Sequence, residues 1–466
     1  MDAVRKAMVG NLVAFSWCCL TTVASSSSSA FVPHHHAVRT TIMKVQQQVD
    51  DTSSSSSRRR SLSSAMLASA GGGSSGGVSS FLTNLFGGVA NNKANAAAAV
   101  VTPSGNTNKE GRLRRPTNEI IKSINGMRQR RLGSSDILVS ELGLGTQRWV
   151  SADFNSPTKE EIYQFMDKAI LNCGVNLIDT AEQYPIPSDS KKGVMEGDTE
   201  CQIGEWMASR KVNKGEARNK VVIATKITGG RNITPSNIRK DCDGSLSRLQ
   251  LDYIDIYQLH WPARYSPQSN WGQSLSYNLE ADKSPYWRTP TSFDEICTAM
   301  QSLIDDGKIR GWGLCNDNAY GLTGCTQSAK FLGVTPPCSI QGDFSLIDRK
   351  SEENGVAEAA SPYNENVGFM AYNALAGGML TGKYTDKPAA LDNVDRKMVI
   401  EMMKNPRGRM DDFGWSQTLY RYRSDAALSA IKEYEAIAKR AGMSSTIINY
   451  YYTCRSYEYG TATAIN

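Results

Sequence analysis

Little in this 466-residue chain points to a membrane, a metal or an extracellular fold. Beyond the N-terminal segment no run reaches the roughly 18 apolar residues that a bilayer-spanning helix requires. Ten cysteines are present, but no two form C-x-x-C and no His/Cys cluster has zinc spacing. A disulfide framework is therefore disfavoured against buried thiols in a reducing compartment, and no metal site is expected. No G-x-G-x-x-G follows the first apolar segment, since Gly143-Leu144-Gly145 lacks the third glycine of an open dinucleotide-binding sheet. Histidine is scarce, with four residues, three of them at 34–36. A net charge of +6 invites a polyanionic partner, yet much of the basic excess lies before residue 132, in Arg58-Arg59-Arg60 and Arg128-Gln129-Arg130-Arg131. The remainder mixes both signs without a basic stripe, so no nucleic acid is expected as a partner.

The first 125 residues read as an address and not as a fold. Arg5 and Lys6 precede an apolar run from Ala7 to Leu20, and small residues follow to Ala30. This is the layout of a signal peptide, expected over 1–30. A Ser- and Arg-rich, acid-poor stretch over 53–64 has transit-peptide character, and 31–125 is expected to be transit peptide and Gly/Ser-rich linker. The junction Ser29-Ala30-Phe31-Val32-Pro33 resembles the bipartite presequences of secondary plastids. A plastid location follows as an expectation, the stroma rather than the thylakoid lumen, with no membrane attachment of the mature form. A twin-arginine signal at Arg59-Arg60 competes with that view, but glycines at 71–73 interrupt its apolar segment.

From residue 127 onward, strands and helices alternate. Strands are expected at Leu138–Gly145, Val175–Ile178, Val221–Thr225, Ile254–Leu259, Ile309–Leu314, Ser339–Gln341 and Gly368–Tyr372, with an eighth at Gly460–Ile465. Helical periodicity fills the intervals, including a capping box at Thr158–Glu161, Ile238–Leu249 and Phe293–Leu303. Short buried strands separated by helices make right-handed βαβ units and a parallel sheet. Eight of them favour closure: an α/β fold, a (β/α)8 TIM barrel over 127–466.

Polar residues then fall where such barrels place their chemistry. Asp179, Lys226 and His260 each directly follow an expected strand, at the C-terminal rim. Tyr184 lies five residues past Asp179. Singly these have ordinary explanations: a turn-forming Asp, a solvated Lys, a structural His, a loop aromatic. Together they make a proton-transfer set. A phenol with its usual pKa of about 10 is a weak acid. A neighbouring ammonium is expected to lower it, and a carboxylate would hold that ammonium in place. Trp149, Trp261 and Tyr265 are candidate pocket aromatics, with core packing as the plain alternative. The long segments 262–290 and 387–417 are expected to wall the pocket or cover a cofactor.

These residues, in this order, resemble the aldo-keto reductase family. The matching stretches are 176–184 (NLIDTAEQY), 223–226 (IATK), 245–249 (SLSRL), 252–260 (DYIDIYQLH), 307–310 (GKIR) and 380–384 (LTGKY). The resemblance implies NADPH-dependent reduction of a small aldehyde or ketone. Tyr184 would be the general acid, Lys226 and Asp179 its tuning pair, and His260 the group that orients the carbonyl. Tyr372 would stack on the nicotinamide, Asn316 and Gln341 would bind its carboxamide, and Gly145, Thr146, Asp179, Asn373, Leu375 and Gly377 would line the dinucleotide. Cys315 stands where members often have Ser, and Asn373 replaces another Ser. The chain also stops soon after the eighth strand, where members continue with a segment that binds the 2′-phosphate and a final helix. A C-terminally truncated barrel with weak cofactor affinity is therefore expected. A cofactor-binding redox-sensing or regulatory module and an inactive truncated product are the competing readings; oligomeric state is not legible.

Overall fold

The computed structural model describes residues 119–465, apart from 153–155, 268–275, 288–289, 386–405, 412–421, 423 and 457–461. The expected signal and transit segments lie outside the described residues.

Eight parallel strands close into a barrel: β4 (Leu142–Gly145), β5 (Leu177–Asp179), β6 (Val222–Ile227), β7 (Ile254–Leu259), β8 (Ile309–Cys315), β9 (Ser339–Asp343), β10 (Gly368–Tyr372) and β11 (Ala462–Ile465). The eighth strand closes the ring by pairing with both β10 and β4. The principal helices are α1 (Lys159–Met166), α2 (Asp198–Ser209), α3 (Pro235–Leu249), α4 (Phe293–Asp305), α5 (Ala319–Leu332), α6 (Val356–Ala360), α7 (Asp425–Arg440) and α8 (Ser445–Ser456). Thr158 and Glu161 form the expected capping box of α1, whose last turns widen over Asp167–Asn172 before Gly174 reverses the chain at φ 75°. Ser292 and Glu295 cap α4 in the same way.

Side-chain alternation sorts the core into two layers. Leu177, Val222, Ala224, Ile256 and Met370 fill the barrel interior. Their strand neighbours Ile178, Ile223, Tyr257, Leu314 and Ile340 face outward, in one cluster with Ile162, Ile203, Ile238 and Leu322 of the helices. Polar residues at the inward positions of the upper rim therefore have a packed floor beneath them.

That floor differs from the sequence expectation. The segment 138–145, read as one strand, divides at Glu141. Its first part, β3 (Leu138–Ser140), pairs antiparallel with β2 (Met127–Arg131), and β2 pairs with β1 (Ile120–Ile124). Only 142–145 enters the barrel. Glu141 is the pivot, taking Arg128 and Arg130 on its two carboxylate oxygens while almost fully buried. Val139 of β3, with Leu132 and Ile137 of the turn that joins β2 to β3, plugs the barrel interior. Strand β1 also starts before residue 127, inside the stretch assigned to the linker. Its hairpin turns at Asn125-Gly126 with both residues at positive φ, a type I′ signal that was present in the sequence. Gly133 is obligatory for seating the plug: at φ 59°, a Cβ there would lie 2.3 Å from the Cys338 carbonyl oxygen.

Seven of the described cysteines are free thiols, five of them buried, as the plain reading of the composition holds.

Candidate active site

Three consecutive βα junctions deliver the polar set. Asp179 ends β5, Lys226 lies near the end of β6 and His260 follows β7, while Tyr184 turns back from the loop after β5. All four are buried, from 0 to 6% exposed. Such burial of an ammonium is tolerable only if its donors are satisfied. Lys226 Nζ donates to Asp179 Oδ2 and to the Thr180 carbonyl, both at 2.8 Å. The other carboxylate oxygen of Asp179 accepts from Gln341 Nε2 at 2.8 Å. The backbone is pinned as well, since the Thr146 amide and hydroxyl both donate to the Asp179 carbonyl.

Above this pair lies the phenol. Lys226 Nζ is 5.1 Å from the centroid of the Tyr184 ring, and that ring meets the His260 imidazole edge to face at 5.7 Å. Phenol, amine, acid and imidazole, separated by up to 81 residues (260 − 179), thus converge at one rim of the barrel.

The electrostatics correct one expectation. Burial raises the Tyr184 phenol to about 12, and the opposing pull of Lys226 does not cancel it. Asp179 and the Cys315 thiol push in the same direction as burial. The ammonium does act as expected, but desolvation is the larger effect, so Tyr184 holds its proton throughout the neutral range. Burial also works against the charge of Lys226, yet Asp179 reverses this and keeps the amine above the ordinary lysine range. His260 is pushed well below the usual histidine value, first by burial and then by Lys226, so its imidazole is neutral.

This last shift predicts an acid-dependent stability. Because the folded pKa lies below the unfolded value of 6.5, the contribution is fully present above pH 6.5 and is lost as pH falls below it. Urea unfolding at neutral and mildly acidic pH should show this loss, and His260→Asn should flatten it. An equal slope in wild type and variant would refute the assignment.

The remaining residues proposed from the sequence occupy two places. Asn316, Gln341 and Tyr372 lie beside the tetrad and are tied together. Tyr372 Oη donates to Asn316 Oδ1 at 2.6 Å, and Asn316 Nδ2 donates to the His260 carbonyl at 3.0 Å. Cys315 supplies a sulfur within 3.3 Å of Asn316 Nδ2 and 3.5 Å of Gln341 Oε1, a weak bridge where a hydroxyl would be a stronger one. Asn316 adopts φ 56°, the left-handed region that asparagine tolerates better than most residues. Gly145 and Thr146 are buried under the same rim and frame Asp179.

Asn373, Leu375 and Gly377 instead line a separate cavity of about 240 Å³. Asn373 shapes it by accepting from the Gly377 amide at 3.0 Å and donating to Tyr422 Oη at 3.0 Å. Gly377 and Gly378 stand at φ 65° and 94°, which only glycine adopts freely. Four cations that the sequence reading left without a role surround it: Arg148, Lys383, Arg407 and Arg409. Burial lowers Lys383; Asp411 opposes that shift, while Arg148, Arg409 and Arg407 add to it. Asp411 pairs bidentately with Arg407, and the cationic excess that remains suits an anion. Lys383 was legible within the LTGKY stretch, and Arg407-Gly408-Arg409 within the long segment 387–417, most of which lies outside the described residues.

The three pocket aromatics divide. Trp261 stacks on His260 with centroids 6.4 Å apart. Trp149 packs into the outer core against Phe165, as the plain reading holds, whereas Tyr265 is half-buried and packs on Tyr277 and Trp287 within its own loop, in neither the core nor the tetrad. Among the described residues no cluster of three metal-binding side chains occurs, and no helix is long and apolar enough to cross a membrane.

Comparison with known proteins places this geometry in context. The sequence profile of the Aldo/keto reductase family matches residues 141–464. An aldo-keto reductase of Babesia bovis is 35% identical over 47% of this chain and 75% of its own length. Protein tas of Escherichia coli is 36% identical over 57% and 74%, respectively. The uncharacterized oxidoreductase YrpG of Bacillus subtilis is 30% identical over 58% and 73%.

Proposed function

Because the chain belongs to the aldo/keto reductase family, whose members are oxidoreductases acting on carbonyls, we propose that it reduces an aldehyde or ketone to an alcohol with NADPH. The observation that carries this reading is the buried Asp179–Lys226 pair beneath a protonated Tyr184 that touches His260.

Each residue has a task in the reaction. Tyr184 Oη and His260 hydrogen-bond the carbonyl oxygen and draw electron density toward it. Tyr184 then donates its proton to that oxygen as negative charge develops there. The tyrosinate left behind lies next to the Lys226 ammonium, which Asp179 keeps in position and charged. A phenol at about 12 is a poor donor to water but a competent one to an alkoxide, so its proton stays in place until the oxygen becomes basic.

The residues present fit a phosphorylated dinucleotide. Two glycines in the left-handed region and four cations border the cavity after β10, which suits a diphosphate with a further phosphate. NADPH, when bound, supplies the hydride. Asn316, Gln341 and Tyr372 would hold its nicotinamide end and the cationic cavity its phosphate end.

The test is consumption of NADPH with a panel of aldehydes and ketones by the purified chain; no turnover with any of them would overturn the reading. Lys383→Met should raise the Kd for NADPH tenfold or more, on the order of one charge-assisted hydrogen bond. Its kcat at saturating cofactor should be unchanged. Calorimetry with NADPH and NADH separates the phosphate contribution, and equal affinity for the two would sink the preference for NADPH.

We also propose that 1–125 direct the barrel to a plastid stroma, on the strength of the basic start, apolar run and Ala30-Phe31 junction. A fluorescent fusion of 1–125 that stays in the cytosol of a secondary-plastid host would refute this.

A further inference from the structure

Several buried polar side chains have no part in the mechanism, and Gln258 is the one among the described residues with both of its polar atoms unpartnered. Gln258 is fully enclosed in β7, and neither its Oε1 nor its Nε2 has a hydrogen-bond partner among the described residues. Folded proteins rarely leave a primary amide bare in a core, because both of its halves lose their hydration. Its position narrows the explanation. Gln258 shares an inward face with Ile256, which belongs to the interior cluster, and alternation puts His260 on that face one step above.

Across the sheet, Gln258 stands in register with Lys226 on one side and Gly313 on the other, and Gly313 stands in register with Ser339. Lys226 is already engaged with Asp179 and Thr180. Gly313 brings no side chain, and the Ser339 hydroxyl sits 2.0 Å from where its Cβ would be, so only glycine admits that hydroxyl. Ser339 Oγ has the neighbouring Cys338 thiol beside it and no oxygen or nitrogen partner. Directly above, His260 Nδ1 is likewise enclosed and unpartnered. Three orphaned polar groups thus lie within about two strand spacings and one strand step of each other.

We propose that Gln258 and Ser339 hold a water inside the barrel that hydrogen-bonds His260 Nδ1, making Gln258 a positioning residue for the imidazole. The water accepts from the Gln258 amide and donates to Ser339 Oγ and to Nδ1. That gives it three partners, the usual number for a buried water. With Nδ1 accepting, the ring proton resides on Nε2, and Nε2–H becomes the donor to the carbonyl oxygen. This consequence rests on the function proposed above; the water and the tautomer do not.

Nitrogen-15 spectra of the histidine-labelled full chain, with His260→Asn to identify the resonances, test it. Wild type should show His260 as a single Nε2–H tautomer. Gln258→Met keeps the length and removes both polar atoms. It should yield a tautomer mixture and lower kcat roughly tenfold, with cofactor Kd unchanged. An unaltered tautomer in Gln258→Met overturns the proposal whatever happens to kcat. Should that variant fail to fold, a high-resolution crystal structure of the wild type decides. A water bridging Gln258 and His260 supports the proposal, and protein atoms capping the Gln258 amide overturn it. If the chain reduced no carbonyl, the proposed function would fall, yet the spectra and the electron density would still report on the water.

Discussion

Replacing Tyr184 by Phe is expected to lower kcat by about 10³-fold, within the range for loss of a general acid, while leaving cofactor affinity unchanged. The ring itself stays. Tyr184 is 5% exposed and its aromatic face packs against Lys226 Nζ and His260, contacts that phenylalanine retains. Only the hydroxyl is lost, so thermal stability at neutral pH should hardly change, and a collapse in Tm would mean that the hydroxyl was structural. The pH dependence provides a second readout. The folded pKa of about 12 lies above the ordinary 10, so the native state retains a proton that the unfolded chain releases first. Its stabilising contribution is therefore complete below pH 10 and disappears as pH rises toward about 12. The Phe variant should lack this alkaline loss, and ionisation of Tyr184 should not limit reduction by the wild type anywhere in the neutral range. Retention of most of the turnover by Tyr184→Phe would remove the phenol from the mechanism.

Lys226→Met should have the larger combined effect. Removing one partner of a buried ion pair leaves the other charge uncompensated, at a cost of about 3–5 kcal/mol. Asp179 would keep only Gln341 on its carboxylate, with both residues 2% exposed. Chemical denaturation should show that loss, and kcat should fall at least as far as in Tyr184→Phe, since the tyrosinate would form with no cation beside it. The double variant Asp179→Asn/Lys226→Met tells the two consequences apart. Neutralising both partners should restore much of the stability and none of the activity, giving a large coupling energy for folding. Additive losses in stability would mean that the pair is not coupled as the 2.8 Å contact implies.

The barrel and its rim were legible because strand periodicity and strand-end chemistry are local signals. Asp179, Lys226 and His260 could be placed simply by counting to the end of an apolar run; His260 follows its strand as counted, while Asp179 and Lys226 fall within the last two residues of theirs. Gln341 and Asn316 entered through resemblance alone; nothing about an amide after a strand announces that it will grip Asp179 or the His260 carbonyl. The cationic cavity was missed for a different reason. Arg148 belongs to the first βα loop, Lys383 to the turn after β10 and Arg407 and Arg409 to a distant segment, so no window of sequence contains the cluster. The hairpin floor has a local signal of its own, Asn125-Gly126, but it straddles the end of the segment whose composition reads as a linker.

By itself the sequence determined the order and direction of the strands, the helix caps and the identity of the four groups at the rim, since each depends on spacing within one or two elements. The tertiary structure decided what burial does to those groups. Desolvation outweighs the ammonium at Tyr184, Asp179 outweighs desolvation at Lys226, and nothing opposes it at His260. It also decided which distant cations share a cavity and which buried amide has no partner among the described residues. Electrostatic energy depends on distance and on the surrounding medium, and neither is written in the order of residues along the chain.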